Sequence, residues 1–220
     1  MPRTSLNEIE AMGRKAARGA GMSWGLAEEA GKAVRWLALN GRPGLAALVR
    51  LLEGQDGTPY ERLRPHVEEA AGNPLWRAGG GTLCPIAAGA ALADLAAEIG
   101  APPGIALERV AEPLLLLPFL ARAARYEGRA FALEAGGETV PLYPDGPAGG
   151  PVPTLEGAMP ARVFAWTAER NSPPPEQSVR GVAVEDELWT RAGRFAERTY
   201  VPASDASRLS GAGAGLTDND

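Results

Sequence analysis

Residues 129–143 read RAFALEAGGETVPLY. Arg129–Leu133 and Glu138–Tyr143 each run with a period near two, and Ala135-Gly136-Gly137 lies between them. Two such runs joined by a glycine turn predict a β-hairpin. This hairpin decides the fold class, because almost everything before it carries a helical period.

Working backward, Ala101-Pro102-Pro103-Gly104 marks the change of texture. Before it, the chain reads as a series of helices. Ser5-Leu6-Asn7-Glu8 has the capping-box spacing, and Leu6, Ile9, Met12 and Ala16 then share one face. Gly19-Ala20-Gly21 ends that helix. Ser23 caps the next, which runs to about Leu39 with Leu26, Ala30, Ala33 and Leu37 inward and Glu28 four residues before Lys32. Asn40-Gly41 stops it, and Pro43 opens a third helix carrying Leu45, Leu48 and Leu52. Thr58-Pro59-Tyr60-Glu61 repeats the capping-box spacing, with Pro65 as a break. Pro85–Ile99 is the last helix of this half, and its alanines and Gly89 suit a closely approaching neighbour.

Working forward, Leu114–Ala121 is open to strand or helix. Ala161–Thr167 and Val179–Val184 read as strands, and Asp186 caps a helix to about Tyr200 with Leu188, Ala192, Phe195 and Ala196 inward. No βαβ alternation points to a dinucleotide fold. The expectation is an α+β protein: a helical half (about 1–100) packed on a mostly antiparallel sheet with one late helix (about 101–205), then a glycine-rich tail (206–220). The helical stripes are narrow and the strands few, so the 220 residues are expected to form a single domain.

The charge is −5, which argues against a nucleic-acid partner. No apolar run reaches the ~20 residues that span a bilayer, and MPRTSLNEIE lacks the apolar stretch of a signal peptide. A cytoplasmic protein is expected, and one cysteine fits that compartment. With His66 the only histidine and Cys84 the only cysteine, an ordinary Cys/His zinc site is not expected, while a carboxylate-based Mg²⁺ or Ca²⁺ site stays open. No residue is assigned as a metal ligand, and no cofactor is named.

The stretch GGGTLCPIAAGAALADLA (79–96) holds the first candidate site. Pro85 at the first helical position makes Cys84 the N-cap, where the helix dipole lowers a thiol's pKa. Gly80, Gly81 and Thr82 would leave backbone N–H groups for an anion. A catalytic Cys84 and a small buried thiol filling a gap both remain open. The tail holds the second candidate. Asp218 offers oxygen ligands and Arg208 a guanidinium, beside glycines that allow close approach. Disorder or ordinary packing of that tail is the competing reading. Trp24, Glu28 and Glu29 fit a plain helix start, and His66 beside Glu68 and Glu69 a solvated helix start.

Three stretches together, SLNEIEAMGRKAARGAGMSWGLAEEAGKAVRWL, GTLCPIAAGAALAD and RTYVPASDASRLSGAGAGLTDND, resemble a bacterial family of similar-length proteins defined only as a domain of unknown function. The resemblance implies a stand-alone protein and no particular reaction. The first stretch is also similar to the N-terminal helices of the malate/lactate dehydrogenase family that lacks a Rossmann fold, though the chain is too short for that enzyme.

Two functional classes follow. One is a protein that binds or acts on a small polar or anionic metabolite through the Gly79–Cys84 loop. The other is a non-catalytic accessory protein that docks through its helical half. The alanine-stripe helix also suits self-association into a homo-oligomer.

Overall fold

Ser5 begins the first helix as its sequence requires. Its hydroxyl accepts from the Glu8 N–H at 3.2 Å, and the Glu8 carboxylate accepts from the Ser5 N–H at 2.8 Å. The computed structural model describes residues 3–70, 72–147, 153, 155–169 and 181–200. Six helices are found among them: α1 (Leu6–Gly19), α2 (Trp24–Leu39), α3 (Gly44–Gln55), α4 (Pro85–Asp94), α5 (Leu117–Glu127) and α6 (Asp186–Glu197). The strands are β1 (Arg3–Ser5), β2 (His66–Ala70), β3 (Asn73–Arg77), β4 (Ile105–Ala111), β5 (Ala130–Ala135), β6 (Glu138–Tyr143), β7 (Gly146–Pro147), β8 (Ala158–Trp166) and β9 (Gly181–Ala183).

Seven strands form one mixed sheet in the order β2-β3-β4-β8-β5-β6-β7. Its pairs are antiparallel except β3–β4. The class is therefore α+β, with a late helix. The expected hairpin is β5–β6, turned by Gly136 and Gly137 at φ 60° and 80°, the left-handed pair that a two-residue hairpin needs. Register then sorts the sheet's two faces. Ile105, Val163, Leu133 and Val140 line up across four strands and are buried beneath the helices. One residue along, Ala106, Arg162, Glu134 and Thr139 line up on the other face, where the last three are exposed.

Several expectations need correction. The helical half is interrupted by a hairpin: His66–Ala70 pairs with Asn73–Arg77, and His66 is an exposed strand residue. Pro65 and Pro74 deny a helix there, and Trp76 is buried in the extended strand. Thr58 makes no capping box, because only a 3-10 turn forms at Tyr60–Arg62. Leu114–Ala121 is helical, a 3-10 turn at Pro113–Leu116 running into α5. Ile105–Ala111, unassigned from sequence, is β4 near the sheet's centre. Asp186 is the first residue of α6 rather than its cap. Lys32 pairs with Glu29 at 3.0 Å instead of Glu28, and Glu29 also binds Arg122.

The main apolar cluster draws residues from Ile9 to Phe195 and so takes side chains from both halves of the sequence. Where α4 crosses α5, Gly89 faces the ring of Phe119, as the small-residue stripe predicted. β1 pairs with β9, which brings α6 against α1 and α3, where Leu45, Val49 and Ala192 form a smaller buried cluster.

Candidate functional site

The Gly79–Cys84 loop does lead into a helix N-terminus, with Cys84 as N-cap and Pro85 as the first residue of α4. Four of its backbone N–H groups, those of Gly80, Gly81, Leu83 and Cys84, are, however, already engaged. Leu83 forms a parallel bridge to Val110: its N–H donates to the Arg109 carbonyl at 2.7 Å, and its carbonyl accepts from the Ala111 N–H at 3.1 Å. The Cys84 N–H donates to Leu63 O, the Gly80 N–H to Arg62 O and the Gly81 N–H to Ala78 O. An added Cβ on Gly80 would come within 2.8 Å of the Arg62 carbonyl oxygen, so glycine lets the loop press against the 60–63 turn. With those four amides on carbonyls, the loop lacks the array of converging free donors that an anion cradle needs. Thr82 is half-buried beside it.

Cys84 is fully buried, with Leu63, Leu83 and Ile86 in the same apolar cluster. Burial pushes its thiol up to about 11, and the N–H groups of Ala87 and Ile86 offset this only in part. N–H groups at the helix N-terminus do reach the sulfur, but desolvation outweighs them. The structure therefore corrects the expectation of an accessible, low-pKa thiol and places Cys84 as a packing residue. Arg208 and Asp218 lie outside the described residues.

On the far side of the 60–63 turn is a cavity of about 290 Å³. It is walled by Ala20, Gly21 and Met22 after α1, by Leu52 and Gln55 at the end of α3, and by residues 57–60 and Leu63. Gln55 belongs to α3's buried stripe: Leu48, Leu52 and Gln55 follow at helical spacing, all inward. It is only 9% exposed, and its Nε2 has no hydrogen-bond partner. The hydroxyl of Tyr60, also in the wall, is buried and unpartnered too. Burial raises the Tyr60 phenol well above its usual range, with Cys84 and Glu61 adding to the effect, so it stays protonated. An unpaired buried amide costs about 1–3 kcal/mol, which makes two such groups beside one cavity an unusual pairing. Neither residue was expected from sequence as a site.

A second polar centre lies at the start of the turn before α5. Glu112 has φ 52°, left-handed for a residue with a side chain, and is 4% exposed. Its carboxylate accepts from Arg50 Nε at 3.1 Å and Nη2 at 2.8 Å, and from the Gly157 N–H at 2.9 Å. The Glu112 N–H donates back to Gly157 O at 2.9 Å. Every one of these contacts is internal, so Glu112 acts as a latch joining α3, the 155–158 segment and α5. A third feature is a groove of about 550 Å³ on the outer sheet face, lined by Leu75, Met159, Pro160, Glu108, Glu134 and Arg162 among others. Among the described residues no three His, Cys, Asp or Glu side chains gather as a metal set, and no helix is long and apolar enough to cross a membrane.

Residues 4–77 match the family model described as "Protein of unknown function (DUF3726)". The DUF3726 match spans α1 to β3, and all the cavity-lining residues fall inside it. It agrees with the resemblance seen in SLNEIEAMGRKAARG and its neighbours. No curated protein matches the chain. Among solved structures, a malate dehydrogenase from Entamoeba histolytica aligns with 64% of this chain and 43% of its own, at 11% identity and a TM-score of 0.43. The chain thus spans less than half the length of that protein.

Proposed function

We propose that this is a small-molecule-binding protein whose site is the cavity between the ends of α1 and α3 and the Tyr60 turn. The supporting observation is that Gln55 and Tyr60, whose Nε2 and hydroxyl are buried without a hydrogen-bond partner, both line a cavity otherwise walled mainly by apolar side chains. Ligand pockets commonly combine an apolar lining with a few polar groups that fix orientation. The metabolite expected at the Gly79–Cys84 loop is thereby moved across the 60–63 turn, and Cys84 takes no chemical part. The same reading keeps the protein in the cytoplasm, where its single thiol stays reduced.

Thermal unfolding of the full chain across a metabolite panel tests this. A ligand at a hundred times its Kd adds about 2.7 kcal/mol, or roughly 5–10 °C at this chain length. The Gln55→Leu variant should lose the response. Responses that persist undiminished in Gln55→Leu would place binding elsewhere. The alternative, an accessory protein docking through its helical half, has one observation in favour: Trp24, at the start of α2, is 67% exposed.

A further inference from the structure

The chemistry of the cavity wall narrows its ligand. None of the lining residues carries a charge. Two helices end at it: α1 at Gly19, just before Ala20–Met22, and α3 at Gln55. The C-terminal end of a helix carries partial negative charge on its last carbonyls. Here, however, the last carbonyls of α1 accept from the N–H groups of Ala20, Gly21 and Met22, that of Gln55 accepts from the Thr58 N–H, and that of Met22 from the Arg18 guanidinium, so the helix ends are capped; an anion loses its hydration with no lining cation to replace it. A bare ammonium fares little better, because no lining carboxylate is there to pair with it. Asp56, the residue after α3, is held by Arg198 through two bonds of 2.6 and 2.9 Å.

The orphaned groups ask for the reverse of a charge. Gln55 Nε2 is a donor lacking an acceptor, and Tyr60 OH can give or take one hydrogen bond. The terminal amide of glutamine turns about a soft torsion, so its N–H can swing toward a guest without a rotamer change in the rest of the side chain.

We infer that the cavity takes an uncharged, mostly apolar molecule ending in a carboxamide or similar carbonyl group, and discriminates against the matching carboxylate. The Gln55 amide turns toward the guest, whose carbonyl oxygen accepts from Nε2, while the apolar body lies against Met22, Leu52 and Leu63 and the guest's amide N–H donates to the Tyr60 hydroxyl. This rests on the cavity being the ligand site.

The test uses the full chain labelled with ¹⁵N and three probes of one skeleton: benzamide, benzoate and benzylamine. Benzamide should shift the Gln55 side-chain NH₂ signals and the backbone signals of residues 20–22, 57, 58 and 60. Benzoate and benzylamine should bind at least tenfold more weakly. Gln55→Leu should weaken benzamide at least tenfold, and the near-isosteric Gln55→Met serves if the leucine variant does not fold. If neither folds, the wild-type Gln55 NH₂ shift decides. Benzoate binding as tightly as benzamide at these residues would overturn the ligand class while leaving the cavity reading intact. No response at these residues from any probe would overturn both.

Discussion

Gly89→Ala sets two well-characterised effects against each other. Gly89 lies inside α4, where replacing glycine by alanine ordinarily stabilises a helix by about 1 kcal/mol. Here the added Cβ would stand 2.6 Å from Phe119 Cγ and 2.8 Å from Cε2, and nearer still to Cδ2. Carbon atoms settle at about 3.5–4 Å, so the ring must retreat by roughly an ångström. Phe119 is 2% exposed, between buried Leu117 and Leu120 on α5, and has nowhere to go. Overpacking of this kind costs about 1–3 kcal/mol, occasionally more, and at this site the upper part of that range applies. The net expectation is a loss of about 1–2 kcal/mol, which at this chain length lowers Tm by roughly 2–8 °C. Urea unfolding and calorimetry of the variant measure it. Adding Phe119→Leu should recover part of the loss, with a coupling of at least about 0.5 kcal/mol in the double-mutant cycle. A Gly89→Ala protein more stable than wild type would refute the reasoning, because helix propensity would then have outweighed packing.

Three further outcomes are expected. Glu112→Gln removes the buried charge that holds Arg50 and should cost about 1–3 kcal/mol in urea unfolding, with little salt dependence because the carboxylate is shielded from solvent. Gln55→Leu should raise Tm in the absence of ligand by deleting an unsatisfied amide, a gain of about 1 kcal/mol, and a lowered Tm would show that the amide has a partner after all. Cys84 should resist iodoacetamide in the native protein at pH 8 and react on unfolding. Because its pKa is raised on folding from 9.0 to about 11, the unfolded thiol ionises first, so stability should decline as pH rises from about 9 towards 11, and a pH-stability profile of Cys84→Ala should lack that component.

The elements that obeyed a local rule were legible. Ser5 and Ser23 cap helices because their hydroxyls reach backbone N–H groups three residues on, whatever lies beyond. Gly136-Gly137 turns a hairpin because left-handed backbone is cheap there. Strand β4 was not legible: its polar Glu108-Arg109 sits at a β-bulge that breaks the alternation. Strands β2 and β3 hid behind their prolines, and only the partner strands explain them. The loop before Cys84 was placed correctly at a helix start, but its chemistry depended on Leu63, Arg62 and Arg109, which no local pattern brings together. Gln55 had a visible signal, an amide at the next inward position after Leu48 and Leu52. What the sequence could not show is that Tyr60 would close over the same space.

The pairing of β1 with β9 also sets a clock. Arg3 reaches the Gly181 carbonyl across a separation of 178 residues, at 2.8 Å. At a synthesis rate of about 5–20 residues per second, the beginning of the chain waits roughly ten to forty seconds for that partner to emerge. During that interval Met12, Leu45 and Val49 have no α6 to cover them, since Leu188, Trp189 and Ala192 are still to be made. All seven strands of the large sheet are complete by Trp166, so a polypeptide released early after that point would own its whole sheet and still carry a bare flank on its first and third helices.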